Sequence, residues 1–131
     1  MDDFLVILKR ECVLTGTMPG QVIERIKSHV KCIVRSQYVY DVSEEMVKEH
    51  YADLKESDHF EGAVSQLFPG PLIVMKCYGD LEGMRKACGA TDPKKAEPGT
   101  IRADFAKDIS ANVIHCSKNK EEAERELKIW F

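Results

Sequence analysis

At 131 residues the chain fits one domain, long enough to bury about two-thirds of its unfolded surface in a single core. A hydrophobic share of 44% with 31% charged residues excludes disorder over most of the length, and a net charge of −3 excludes a general attraction to nucleic acid or anionic membrane. Five cysteines without a C-x-x-C pair argue against a disulfide framework or a cysteine zinc site, and no run approaches a membrane span, so the expected compartment is the cytoplasm, with the nucleus left open.

Taken in chain order, Phe4 to Leu8 is a continuous apolar run that predicts a buried central strand, with Lys9 at its exit. Pro19 and Gly20 punctuate a loop, after which Val22, Ile23, Ile26 and Val30 have the spacing of an amphipathic helix. Cys32 to Val42, rich in β-branched and aromatic residues, predicts a second strand. Ser43-Glu44-Glu45 caps a helix in which Val47, His50, Tyr51 and Leu54 form one stripe, and Asp58 starts a further short helix. Pro69-Gly70-Pro71 marks a turn before a third strand at Leu72 to Met75, and Asp80 to Ala87 predicts a helix carrying Arg85. Gly89 to Gly99 is an irregular segment, and one of that length in so small a domain is usually functional. Val113 and Ile114 read as a short buried strand delivering His115 at its end, and Asn119 with Glu122 three residues on is the capping pattern that starts a last helix. On that helix Ala123, Leu127 and Trp130 share a face, with Glu126 beside it, so a carboxylate returns toward the histidine.

Four strands with the helices on one face make an α+β sandwich, compatible with a split β-α-β arrangement; periodicity alone leaves other α+β sandwiches open. The chemistry is similarly open at this level. A histidine beside a carboxylate is as often a satisfied buried pair as a catalytic one, and a single arginine is more often in a surface salt bridge than in a pocket.

Three blocks narrow the choice. Pro98-Gly99-Thr100-Ile101-Arg102-Ala103-Asp104-Phe105, then Asn112-Val113-Ile114-His115-Cys116-Ser117, then Glu126 to Trp130-Phe131, occur in an order and spacing that resembles the nucleoside diphosphate kinase family. Lys9, His50-Tyr51, and Arg85 six residues before Thr91 extend the resemblance over almost the whole chain. It implies a ferredoxin-like fold with a four-stranded antiparallel sheet, over one domain spanning residues 1–131. The implied activity is transfer of the terminal phosphoryl of a nucleoside triphosphate to a nucleoside diphosphate, ping-pong through a phosphohistidine at His115. It implies further that Glu126, Tyr51 and Ser117 support that histidine and that Lys9, Arg85 and Arg102 supply positive charge to the phosphates. Thr91 would add a hydroxyl donor, Asn112 would reach the ribose, and His59 would stack on the base. Mg²⁺ is expected with the nucleotide phosphates, without a dedicated cage of protein ligands.

The chain also departs from the family pattern. Lys9-Arg10-Glu11-Cys12 stands where members usually read K-P-D-G, His59 takes the place of a stacking aromatic, Cys116 that of a glycine and Lys118 that of an acidic residue. Cys116 is therefore expected to crowd the site or sensitise it to oxidation. The sequence ends at Trp130-Phe131, short of the tail that members pack against a neighbouring subunit; a homo-oligomer is expected, with hexamer, tetramer or dimer open. These departures keep a second reading in view, a nucleotide-binding regulatory protein of the same fold with weak or lost transfer. A ferredoxin-like RNA-binding module fits less well, because the strands lack the aromatic motif and the charge is wrong.

Overall fold

The computed structural model describes residues 1–131. Strands β1 (Asp2–Leu8), β2 (Cys32–Val39), β3 (Leu72–Gly79) and β4 (Ile114–Cys116) form one sheet in the order β2-β3-β1-β4, with every neighbouring pair antiparallel. Around it lie helices α1 (Arg10–Val13), α2 (Met18–Lys27), α3 (Glu44–His50), α4 (Phe60–Leu67), α5 (Leu81–Cys88), α6 (Ile101–Phe105) and α7 (Lys120–Trp130). β1 and β2 flank β3, the split β-α-β arrangement, and the fold is ferredoxin-like.

The helices cover both faces of the sheet, and the expectation of one covered face is corrected. Phe4, Val6 and Leu8 of β1 pack with Val22 and Ile26 of α2 and with Leu81 and Met84 of α5. Leu5 and Ile7 point the other way, into a second core with Val47 of α3, Leu67 of α4 and Trp130 of α7. The reason is already in β1: five consecutive apolar residues cannot all be buried unless both sides of the strand are covered. Each such aliphatic side chain contributes about 1.5–3 kcal/mol on full burial.

Element boundaries shift at several points. Pro19 and Gly20 lie inside the first turn of α2, where a proline loses no hydrogen bond that the helix would make, and α2 ends at Lys27. β2 stops at Val39, α4 begins at Phe60, and β3 runs on to Gly79. Gly79 permits that extension, since a Cβ there would lie 3.0 Å from the Lys31 nitrogen. α1 starts directly after Lys9, in place of a loop, and α6 forms behind Thr100, whose hydroxyl accepts from the Ala103 N–H. At α7 the predicted cap holds: the Asn119 side chain accepts from the Glu122 N–H at 2.9 Å. Val113 is buried but precedes β4, in the left-handed region at φ 79°. A β-branched residue there costs on the order of 1–3 kcal/mol, and its carbonyl is fixed by the Lys9 N–H at 2.8 Å.

Candidate active site

Strand alternation sends His115 to one face of the sheet and its neighbours Ile114 and Cys116 to the other. His115 lies opposite Ile7 in register, on the face of the second core, while Ile114 and Cys116 join the first. Cys116 is 6% exposed and joins the first core, on the strand face opposite the imidazole, yet it also lines the edge of the cleft in front of His115. Its thiol shares a hydrogen bond with Cys88, which together with burial pushes Cys116 above the ordinary cysteine value and pulls Cys88 below it.

Glu126 belongs to the buried face of α7 itself, at 4% exposure, because it lies three residues from Ala123 and four from Trp130. Its carboxylate stands 3.1 Å from His115 Nε2 and accepts the Ser117 hydroxyl at 2.8 Å. Ser117 in turn accepts the Leu5 N–H at 2.9 Å, so it acts on the imidazole only through Glu126. Burial alone would raise the Glu126 carboxyl, but His115, the Ser117 hydrogen bond and Arg125 outweigh it and hold the group below the usual carboxylate range. An ionised Glu126 takes the Nε2 hydrogen and leaves the Nδ1 lone pair of His115 without a protein partner.

In front of His115 lies a cleft of about 800 Å³, lined by Lys9, Tyr51, His59, Arg85, Thr91, Arg102 and Asn112 among others. Every residue expected from sequence at this site therefore lines it, except Glu126 and Ser117, which lie behind the histidine. Lys9 is 6% exposed; its ammonium donates to Asn112 Oδ1 at 2.6 Å and to Gln66 Oε1 at 3.1 Å. Burial, then the nearby Arg102, push its pKa down to about 7. Arg102 donates to the Gly89 and Ile114 carbonyls, each at 2.7 Å, while its Nε is buried with no partner. Gly89 makes this possible with φ 88°, at a point where a Cβ would meet the Thr100 hydroxyl at 2.5 Å. Arg85 reaches the Ser117 carbonyl at 3.1 Å.

Asn112 is buried and already bonded, its amide nitrogen donating to the Thr91 carbonyl at 3.2 Å. Thr91 and His59 are exposed at the cleft wall. Tyr51 meets His50, edge to face at 4.7 Å between centroids, and burial followed by the Glu126 charge raises its hydroxyl pKa. Two residues of the site escaped sequence reasoning. Gln66, the second partner of Lys9, also donates to the Ile109 carbonyl at 3.4 Å and carried no local signal. His50 sat in the apolar stripe of α3, and its ring lies 4.5 Å from that of His115.

The family model described as nucleoside diphosphate kinase matches residues 2–131. The nucleoside diphosphate kinase of Pyrococcus abyssi is 42% identical over 132 residues, covering 97% of this chain and 82% of that one. That of Symbiobacterium thermophilum is 41% identical over 133 residues, covering 100% and 87%. Among solved structures, the nucleoside diphosphate kinase of Halobacterium salinarum in complex with CDP superposes with a TM-score of 0.91 at 32% identity, over 99% of this chain and 87% of that one. A cleft ringed by three cations in front of an oriented imidazole, on this fold and among these relatives, places the chain in the nucleoside diphosphate kinase family, as an enzyme of phosphoryl transfer between nucleotides.

Proposed function

We propose that His115 Nδ1 is the phosphoryl acceptor and that transfer runs in two half-reactions through it. The observation that carries this reading is the Glu126 carboxylate at 3.1 Å from Nε2, which commits that nitrogen to donating and turns the other toward the cleft. In the first half-reaction the Nδ1 lone pair forms a bond to the terminal phosphorus as its bond to the bridging oxygen breaks. The electron pair leaves with the nucleoside diphosphate. In the second, a terminal oxygen of another nucleoside diphosphate attacks phosphorus and returns the pair to Nδ1.

Charge spreads over the phosphoryl oxygens during both steps, so positioned cations lower the barrier. Lys9, Arg85 and Arg102 supply them from three elements, and the unpaired Arg102 Nε is a buried donor suited to an anion. Thr91 donates its hydroxyl to phosphate, Asn112 keeps one amide hydrogen for the ribose, and His59 stacks on the base at the cleft mouth. Asp58 is the one carboxylate on the cleft wall, so the wall offers no cage of protein ligands; Mg²⁺ entering with the nucleotide would neutralise phosphate charge.

The 131 residues work in this reading as a single catalytic domain. A homo-oligomer is favoured by the exposed Val34, Tyr38 and Tyr40 on and beside the edge strand β2, and five free thiols fit the reducing cytoplasm. The test is to incubate the protein with γ-labelled ATP and Mg²⁺, remove free nucleotide and add GDP. Acid-labile label on the wild type that GDP discharges as labelled GTP, and no label on a folded His115→Ala variant, is the expected result. Equal labelling of that variant would overturn the assignment.

A further inference from the structure

The transfer just described leaves one buried polar group unused. His50 ends α3 at 1% exposure, and its Nδ1 accepts the Trp130 indole N–H at 3.0 Å. An indole can only donate, so Nδ1 holds a lone pair. Burial, with His115, Arg125 and Lys9 adding to it, keeps the ring neutral, and its hydrogen is therefore on Nε2. That N–H has no partner, yet it faces Glu126 Oε2 at 3.8 Å, just outside hydrogen-bond range. The backbone is held as firmly: Arg125, adjacent to Glu126, donates to the His50 carbonyl at 2.8 Å and to the Glu49 carbonyl at 3.0 Å.

A metal ion is the other occupant that this geometry suggests, since ligand atoms of His50, His115 and Glu126 lie within 4.8 Å of one another. It is excluded by the tautomer. Coordination needs a lone pair on His50 Nε2, which would put hydrogen on Nδ1 against the Trp130 N–H.

We propose that His50 is a positioning residue for the phosphoryl acceptor: its Nε2–H closes on Glu126 Oε2 as charge develops on His115. This rests on the reading of His115 given above. As the Nδ1–phosphorus bond forms, the His115 ring gains positive charge and the Glu126 carboxylate becomes its counter-ion. Oε1 already has the Ser117 hydroxyl; Oε2 has no second donor. A closure of about 0.9 Å gives it one. A bond made only as charge appears stabilises the transition state more than the ground state, and so raises the rate rather than the affinity. A neutral donor does this without neutralising Glu126 as a cation would.

The test measures the rate of phosphoenzyme formation from γ-labelled ATP by rapid quench, over a range of ATP concentrations, for wild type, His50→Phe and His50→Gln, each checked for folding by near-UV circular dichroism. The expected result is a fall of about tenfold in the limiting rate for His50→Phe, an unchanged half-saturating ATP concentration, and recovery of most of the rate by His50→Gln, which restores an N–H. Should His50→Phe not fold, Trp130→Phe, which frees the tautomer, is expected to lower the limiting rate about threefold at unchanged half-saturation. A folded variant without the donor that labels at the wild-type limiting rate overturns the role of His50 alone; a wild type that takes no label overturns the reading of His115 and this inference with it.

Discussion

With Lys9 beside the phosphates, as proposed above, its depressed pKa should make nucleotide affinity fall as pH rises. In the free protein the ammonium titrates at about 7, and a phosphate beside it returns the group toward its ordinary value of 10.5. A bound state that holds the proton more tightly should take up a proton on binding above pH 7. At pH 8 only about a tenth of the free protein carries charged Lys9, so about 0.9 proton should be taken up and affinity should be about tenfold, or 1.4 kcal/mol, below its low-pH limit. At pH 9 the loss should reach about a hundredfold. Below pH 7 the lysine is already charged and this dependence disappears. ADP is the suitable ligand, since its phosphates are fully ionised at pH 8. Isothermal titration at that pH in buffers of different ionisation enthalpy reads the proton uptake directly. Lys9→Arg is the control, for a guanidinium stays protonated throughout, and its affinity should be flat from pH 8 to 9. If wild type takes up less than about 0.3 proton at pH 8 and its affinity tracks that of Lys9→Arg, Lys9 is not a buried, half-ionised partner of the phosphates.

Two further outcomes concern stability. Glu126 is held below the usual carboxylate range, so its contribution is present above pH ~4.3 and lost as pH falls through the folded-state value. Urea melts of wild type and Glu126→Gln should therefore differ more at pH 6 than at pH 3, and an equal difference at both would count against an ionised Glu126. Asn119→Ala leaves the Glu122 N–H without its acceptor and should cost about 1 kcal/mol, seen as a fall of about 3–5 °C in the thermal midpoint. An unchanged midpoint would mean that the cap adds nothing beyond solvent.

Much of the site was legible because its signals are local. Asn119 and Glu122 mark a helix start wherever they occur, and the Phe4–Leu8 run demands a central strand. That run also implied cover on both faces, and the one-face reading missed it by counting elements instead of following burial along the strand. α1 and α6 were not predicted because four or five residues are too few to display a helical period. Val113 looked like strand by residue type; its left-handed turn accompanies the bond its carbonyl accepts from the Lys9 N–H, a contact across more than a hundred positions that no local pattern reports. His50 was assigned correctly to a buried face, but a periodicity records that a residue is inside and not which polar group it meets there. The same holds for Gln66, whose lysine partner is 57 residues away.

The pairing of β1 with β4 has a consequence for how the enzyme comes into being. Leu8 pairs with Ile114, Ile7 with His115 and Val6 with Cys116, while Leu5 bonds to Ser117 across 112 positions. Lys9 is thus made early in synthesis and His115 late; at 5–20 residues per second they leave the ribosome roughly 5 to 20 s apart. In that interval a growing chain can pair β1 with β3, but Asn112 and Val113, which fix the lysine, and His115, the proposed acceptor, are still to come. Contacts spanning so much of the chain close last, because their entropy cost falls before any contact repays it. With His115 as the proposed acceptor, turnover should therefore begin only once the final strand docks beside the first.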